Sequence, residues 1–273
     1  MEALDLGNFQ NSSKLEEKVE NKIAKLENAR YCLVSNSGVS AIQMLLHVLP
    51  LNSKILVQDD FYSGTRHMLN KIYHERFLQI PIFPHDHLQK IEEMLSQENH
   101  NISLILIETP SNPITQVYDI QEISKICKKH SVLLSVDNTF CSPIFQNPLN
   151  FGADVVIHSA SKYLSGHSDS VCGALCTNNE ELYNKMKILR EVSGQSLNQF
   201  NLYLLDQGLQ TLKIRVKRIS QNAMKLAVWL KQHPKIDRVY HPMMPEHPGY
   251  DIMRKQTTGF CGTFSFYVKS QVI

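Results

Sequence analysis

Apolar residues recur along this chain at two spacings, and the two alternate. Short continuous apolar runs bounded by polar residues stand at 33–35, 54–58, 104–107, 132–136 and 155–157, the pattern of strands buried on both faces of a parallel sheet. Between them the apolar positions fall three and four apart, as on one face of a helix: Leu15, Val19, Ile23 and Leu26; 40–49, stopped by Pro50; Leu88, Ile91 and Leu95; Ile120, Ile123 and Ile126 behind an Asp119 cap; and Leu182, Met186 and Leu189. The first of these reads as an amphipathic surface helix with its charges outward. After a further apolar run at 197–205, a long helix over 214–230 puts Ile219, Ala223, Leu226 and Leu230 inward and stops at Pro234, and 262–268 alternates as a strand. Strand and helix in alternation predict an α/β fold, a mostly parallel sheet flanked by helices. The chain divides into a large domain over 1–212 and the beginning of a smaller C-terminal α/β domain over 213–273.

At 273 residues the chain can bury a substantial core. A net charge of +2, with 20% charged residues of both signs interspersed, gives no basic face for nucleic acid and no polybasic patch for a membrane. The start, Met1-Glu2-Ala3-Leu4-Asp5, has neither a cationic nor an apolar leader segment, so the expected compartment is the cytoplasm. The six cysteines show no zinc-ligand spacing and read as buried thiols, with Cys172 and Cys176 sharing a strand face; no metal site is expected. His85-Asp86-His87 reads as a solvated turn.

The chemistry concentrates in 154–173, DVVIHSASKYLSGHSDSVCG. A buried strand ends in Ser159-Ala160-Ser161-Lys162, two hydroxyls one residue apart and then an amine, and Gly166 permits a sharp turn. That combination suits a phosphate held beside a lysine that condenses with an aldehyde, as pyridoxal phosphate (PLP) requires. Other strands end in candidates too. Asp137, at the tip of 132–136, can pair with a protonated pyridine nitrogen, and Gly38-Val39 opens a helix whose amides can meet an anion.

The segment resembles the Schiff-base region of the Cys/Met metabolism PLP-dependent enzymes, the cystathionine γ-synthases, cystathionine γ-lyases and methionine γ-lyases. The resemblance extends to Val136-Asp137-Asn138-Thr139-Phe140, Glu108-Thr109-Pro110-Ser111-Asn112-Pro113, Tyr62-Ser63-Gly64-Thr65 and Gly166-His167-Ser168-Asp169, and covers nearly the whole chain. It implies a fold type I PLP-dependent transferase-like large domain. It implies that Lys162 carries PLP, that Asp137 pairs with the ring nitrogen, and that Thr139 packs on the ring face. Tyr62 would stack on the cofactor and act as acid or base, Asn112 would bond its phenolic oxygen, and Gly38, Val39, Ser159 and Ser161 would hold its phosphate, with Glu108 in support.

The implied activity is transsulfuration: α-proton abstraction, then β/γ-elimination or γ-replacement, on a small amino acid such as cystathionine or O-acylhomoserine. Glu108 to Pro113 looks like the γ-acting members, and Gly64 stands where methionine γ-lyases often carry a reactive cysteine. The family forms homodimers or homotetramers. Two departures motivate an alternative. The family's Tyr-x-Arg pair falls near Asn8-Phe9-Gln10, and its substrate-carboxylate arginine has no counterpart, as in a fragment or a scaffold that binds PLP or pairs with a full-length homologue. A nicotinamide site is excluded by the lack of a Gly-x-Gly-x-x-Gly loop.

Overall fold

In the computed structural model, residues 14–74, 79–82, 87–260 and 262–269 are described. The chain opens with α1 (Lys14–Glu27), β1 (Tyr31–Ser35), α2 (Gly38–Val48), β2 (Lys54–Gln58), α3 (Ser63–Ile72) and β3 (Gln79–Ile82). It continues through α4 (His87–Leu95), β4 (Ile102–Glu108), α5 (Ile120–Lys129), β5 (Leu133–Asp137), the short α6 (Ser142–Phe145), β6 (Val155–His158) and β7 (Gly173–Thr177). Two long helices follow, α7 (Glu180–Val192) and α8 (Gln199–Gln232), then β8 (Ile236–Tyr240), α9 (Tyr250–Gln256) and β9 (Ser265–Val268).

Seven strands form one sheet in the order β1-β7-β6-β5-β4-β2-β3, and β8 pairs with β9 in a separate two-stranded sheet. Pairing from β6 across to β3 is parallel, while β7 runs antiparallel to both β6 and β1. The continuous apolar runs resolve into two faces because successive side chains of a strand alternate. Leu104 and Leu106 of β4 join α2, α3 and α7 on one face, whereas Ile105 and Ile107 join α4 and α5 on the other. That second face continues under α1 and α8, where Val156 of β6 packs with Val19, Ile23 and Leu205. The expected mostly parallel α/β sheet is therefore the observed one.

Several local expectations change. Glu16, Glu20 and Glu27 of α1 are buried with its apolar stripe, because each finds partners. Glu20 accepts from the Val34 amide at 2.9 Å and from buried Arg190 at 2.5 Å, and Glu16 lies 3.1 Å from the same guanidinium. Leu226 is 48% exposed, and Ala227 takes the inward position beside Ala223 and Leu230. His87 is buried at the start of α4, edge-on to Tyr118; residues 85 and 86, like Asn8-Phe9-Gln10, lie outside the described residues. Cys172 and Cys176 share a buried cluster with Cys32. The division expected at 212/213 falls inside α8, which is continuous. No helix among the described residues is long and apolar enough to cross a membrane.

Candidate active site

The carboxyl ends of parallel strands face one edge of the sheet, the edge where ligands of open α/β folds bind. Asp137 ends β5, and its register neighbours are Glu108, which ends β4, and Ile157 of β6. Asp137 Oδ1 accepts from the Thr139 amide at 3.0 Å and from Thr139 Oγ1 at 2.5 Å. The same hydroxyl accepts from the Ser159 amide at 2.8 Å, so one threonine ties the tip of β5 to the tip of β6. Desolvation raises the Asp137 carboxyl above its ordinary range, against the two Thr139 bonds and the nearby His158. Glu108 is buried and is pushed up to about 9 by burial first and then by the negative field of Asp137. No lysine or arginine among the described residues forms an ion pair with either carboxyl. The edge thus holds two neighbouring acids with no lysine or arginine paired to them among the described residues.

Gly38 and Val39 open α2, and their amides belong to the first helical turn, which has no intrahelical acceptors. Ser37 caps that turn, its hydroxyl accepting from the Ser40 amide at 3.0 Å. A Cβ at position 38 would stand 3.0 Å from both Cα and Cβ of Ser159, so glycine is what lets this helix terminus close on the end of β6. The Ser159 hydroxyl makes no hydrogen bond among the described residues. That of Ser161 is committed: it donates to Cys172 O at 3.1 Å and accepts from the Cys172 amide at 2.8 Å.

Tyr62 precedes α3 just beyond β2, and its amide donates to Glu108 Oε2 at 3.1 Å. The ring is 45% exposed. It occupies the space a side chain at 64 would need, since a Cβ on Gly64 would meet Tyr62 Cε1 at 2.5 Å. Asn112 is half-buried in the loop after β4. Neighbouring Ser111 fixes this loop by accepting from the Gln116 amide at 3.0 Å and by bonding Asp60. Lys162 lies in the turn after β6, its amide donating to Ser159 O at 3.0 Å and its carbonyl accepting from Gly166 at 2.8 Å. The side chain is exposed and lines a cleft of about 480 Å³ with Phe140, Tyr163, Ser168 and Arg215.

Tyr62, Glu108, Asp137, Thr139, Ser159 and Gly38 therefore form one connected line of contacts along the sheet edge, and Lys162 follows within a turn. Sequence reasoning placed Thr139 on a ring face and did not find its bridging hydroxyl. It also missed Glu27, wholly buried, which bonds His158 Nε2 at 2.5 Å and Asn138 Nδ2 at 2.7 Å behind this edge. The signal was available in the spacing, since Glu16, Glu20 and Glu27 are separated by whole helical turns and flank the apolar stripe.

Known proteins resemble this chain in sequence and in fold. The family model described as Cys/Met metabolism PLP-dependent enzyme matches residues 10–272. The chain is 38% identical to cystathionine γ-lyase of Dictyostelium discoideum, covering 93% of this chain and 65% of that protein. It is 36% identical to the human cystathionine γ-lyase, covering 92% and 62%. The chain thus spans less than two thirds of the length of these curated relatives. The crystal structure of cystathionine γ-synthase from Xanthomonas oryzae pv. oryzae in complex with cystathionine superposes with a TM-score of 0.90 at 32% identity, over 96% of this chain and 67% of that one. That of cystathionine γ-lyase from Lactobacillus plantarum complexed with L-serine gives 0.91 at 31% identity, over 99% and 72%. By its sequence, its sheet and its matched length, this chain belongs to the family of Cys/Met metabolism PLP-dependent enzymes.

Proposed function

We propose that the protein acts in transsulfuration, abstracting the α-proton of a small sulfur amino acid or acylated homoserine and promoting elimination or replacement at its β or γ carbon. The observation that carries this reading is the unbroken line of contacts from Tyr62 to Gly38 with Lys162 beside it. The residues fit PLP: the edge offers acid groups with no lysine or arginine paired to them among the described residues, a helix terminus closed against Ser159 only because residue 38 lacks a side chain, and an exposed amine one turn on. When bound, PLP supplies an aldehyde that captures amines and a ring that withdraws electrons from the α-carbon.

In this reading Asp137 would present a carboxylate to the ring nitrogen, and the two Thr139 bonds favour that carboxylate against its desolvation. Ser159 and the amides of Gly38 and Val39 hold the phosphate; Ser161 orders the turn through Cys172. Asn112 bonds the phenolic oxygen. Lys162 would hold the aldehyde and, as a free amine, would take the α-proton of a bound amino acid and return it nearer the leaving group, with the Tyr62 hydroxyl as a second acid. The motif Glu108 to Pro113 favours γ-acting chemistry on cystathionine or O-acylhomoserine. We further place the protein in the cytoplasm as a homodimer or homotetramer, with a large domain to 212 and a smaller one beginning at 213.

A second reading, a scaffold that binds PLP without turnover, is favoured by the commitment of the Ser161 hydroxyl to Cys172. Absorbance after addition of PLP, read beside activity on cystathionine, O-acylhomoserine and cysteine, separates the two: a yellow protein silent toward all three favours the scaffold. Lys162→Ala should abolish the borohydride-reducible adduct, and persistence of the adduct overturns the assignment of Lys162.

A further inference from the structure

The turn that carries Lys162 is fastened to α8 through one guanidinium. Arg215 Nη1 donates to Tyr163 O at 2.9 Å, and Nη2 donates to Leu164 O at 3.3 Å and to Gly208 O at 2.6 Å. Nε donates to Thr211 Oγ1 at 2.9 Å. The two acceptors of the turn are the carbonyls that directly follow Lys162.

The facing surfaces are shaped for this contact. Gly166 closes the turn with φ at +76°, a region open to glycine, and a Cβ there would come within 1.8 Å of Arg215 Nη1. On the helix side, a Cβ at Gly208 would lie 2.2 Å from Ser165 O. Both glycines are therefore spaces in which the turn, the guanidinium and α8 meet.

Arg215 lines the same cleft as Lys162, so a cation there invites assignment as an anchor for a substrate carboxylate. The donor count decides against it. Binding a carboxylate in a fork takes two parallel N–H groups, and four of the five guanidinium N–H groups are already given to acceptors of the turn and of α8, which leaves one on Nη1.

We propose that Arg215 is a positioning residue for Lys162, a staple that fixes the 163–166 turn to α8 and so sets where the lysine amine stands. The inference rests on the reading of Lys162 as the PLP-capturing amine, and its test separates the two. In the purified chain without added PLP, Arg215→Ala should speed amide hydrogen exchange locally over 162–166, while Arg215→Lys, with one ammonium in place of the fork, should lie between it and the native protein. Arg215→Ala should also lower apparent PLP affinity about tenfold or more, as loss of hydrogen bonds from a charged donor implies.

Gly166→Ala, which pushes on the same guanidinium from the other side, should reproduce both effects and serves where Arg215→Ala fails to fold. Native exchange in the turn, or loosened exchange with native PLP affinity, overturns the positioning role. Lys162→Ala run in parallel isolates the other failure: if it keeps the reducible adduct, the reading of Lys162 falls, while the exchange result still reports on the staple.

Discussion

Replacing Thr139 by valine removes one hydroxyl and leaves the shape of the side chain nearly unchanged. That hydroxyl donates to Asp137 Oδ1 and accepts from the Ser159 amide, and Thr139 itself is 7% exposed. A hydrogen bond to a charged acceptor is worth about 1.5–3 kcal/mol, and an orphaned amide costs about 1–3 kcal/mol. Asp137 keeps its bond from the Thr139 amide and is half-buried, so the lower part of these ranges applies and the loss should be about 2–4 kcal/mol of folding stability. There is a second consequence. The removed bond is one of those that hold the Asp137 carboxyl down against desolvation, so its proton is held more tightly in the variant. PLP affinity, titrated by absorbance, should fall with it. Urea unfolding monitored by circular dichroism gives the stability change, and Thr139→Ser, which keeps the hydroxyl, should stay within about 1 kcal/mol of the native protein. A valine variant of native stability that binds PLP normally would refute the bridging role.

Two further outcomes follow from the same edge and from the layer behind it. The Glu108 carboxyl keeps its proton to about 9 in the folded chain, against an ordinary value of 4.5. Its contribution to stability is therefore complete below pH 4.5 and is lost as pH rises through about 9, with a slope of up to about 1.4 kcal/mol per pH unit in between. Glu108→Gln has no proton to lose and should flatten the fall in unfolding free energy across that window; parallel curves for the two proteins would show that Glu108 is not the group responsible. Glu27→Ala leaves buried His158 without its carboxylate and should cost about 3–5 kcal/mol in chemical denaturation, whereas Glu27→Gln, which keeps the volume and an oxygen acceptor, should cost less; equal losses would show that neither packing nor the retained acceptor contributes.

The line between what the sequence carried and what folding added runs through particular residues. Runs such as Leu104 to Ile107 read as strands covered on both sides, and Asp119 ahead of Ile120, Ile123 and Ile126 reads as the start of a helix, because both patterns are written in the spacing of neighbouring side chains. The motifs around Lys162, Asp137 and Gly38 were likewise local, each at the end of a strand or the start of a helix. Contacts between elements distant in sequence were not legible. The charges of α1 looked solvated until Arg190, 170 residues away from Glu20, was brought against them, and the apolar run at 197–205, from Gln199 onward, and the helix expected over 214–230 proved to be parts of one helix, α8. By itself the sequence determined most of the elements, the fold class and the residue types offered at the strand ends, since those depend on near neighbours. Only the tertiary structure decided that Thr139 joins Asp137 to Ser159, that Ser161 turns to Cys172, and that Arg215 closes on the turn after Lys162. Hydrogen bonds are fixed by distances of a few ångströms, and those distances exist only once the strands are set side by side.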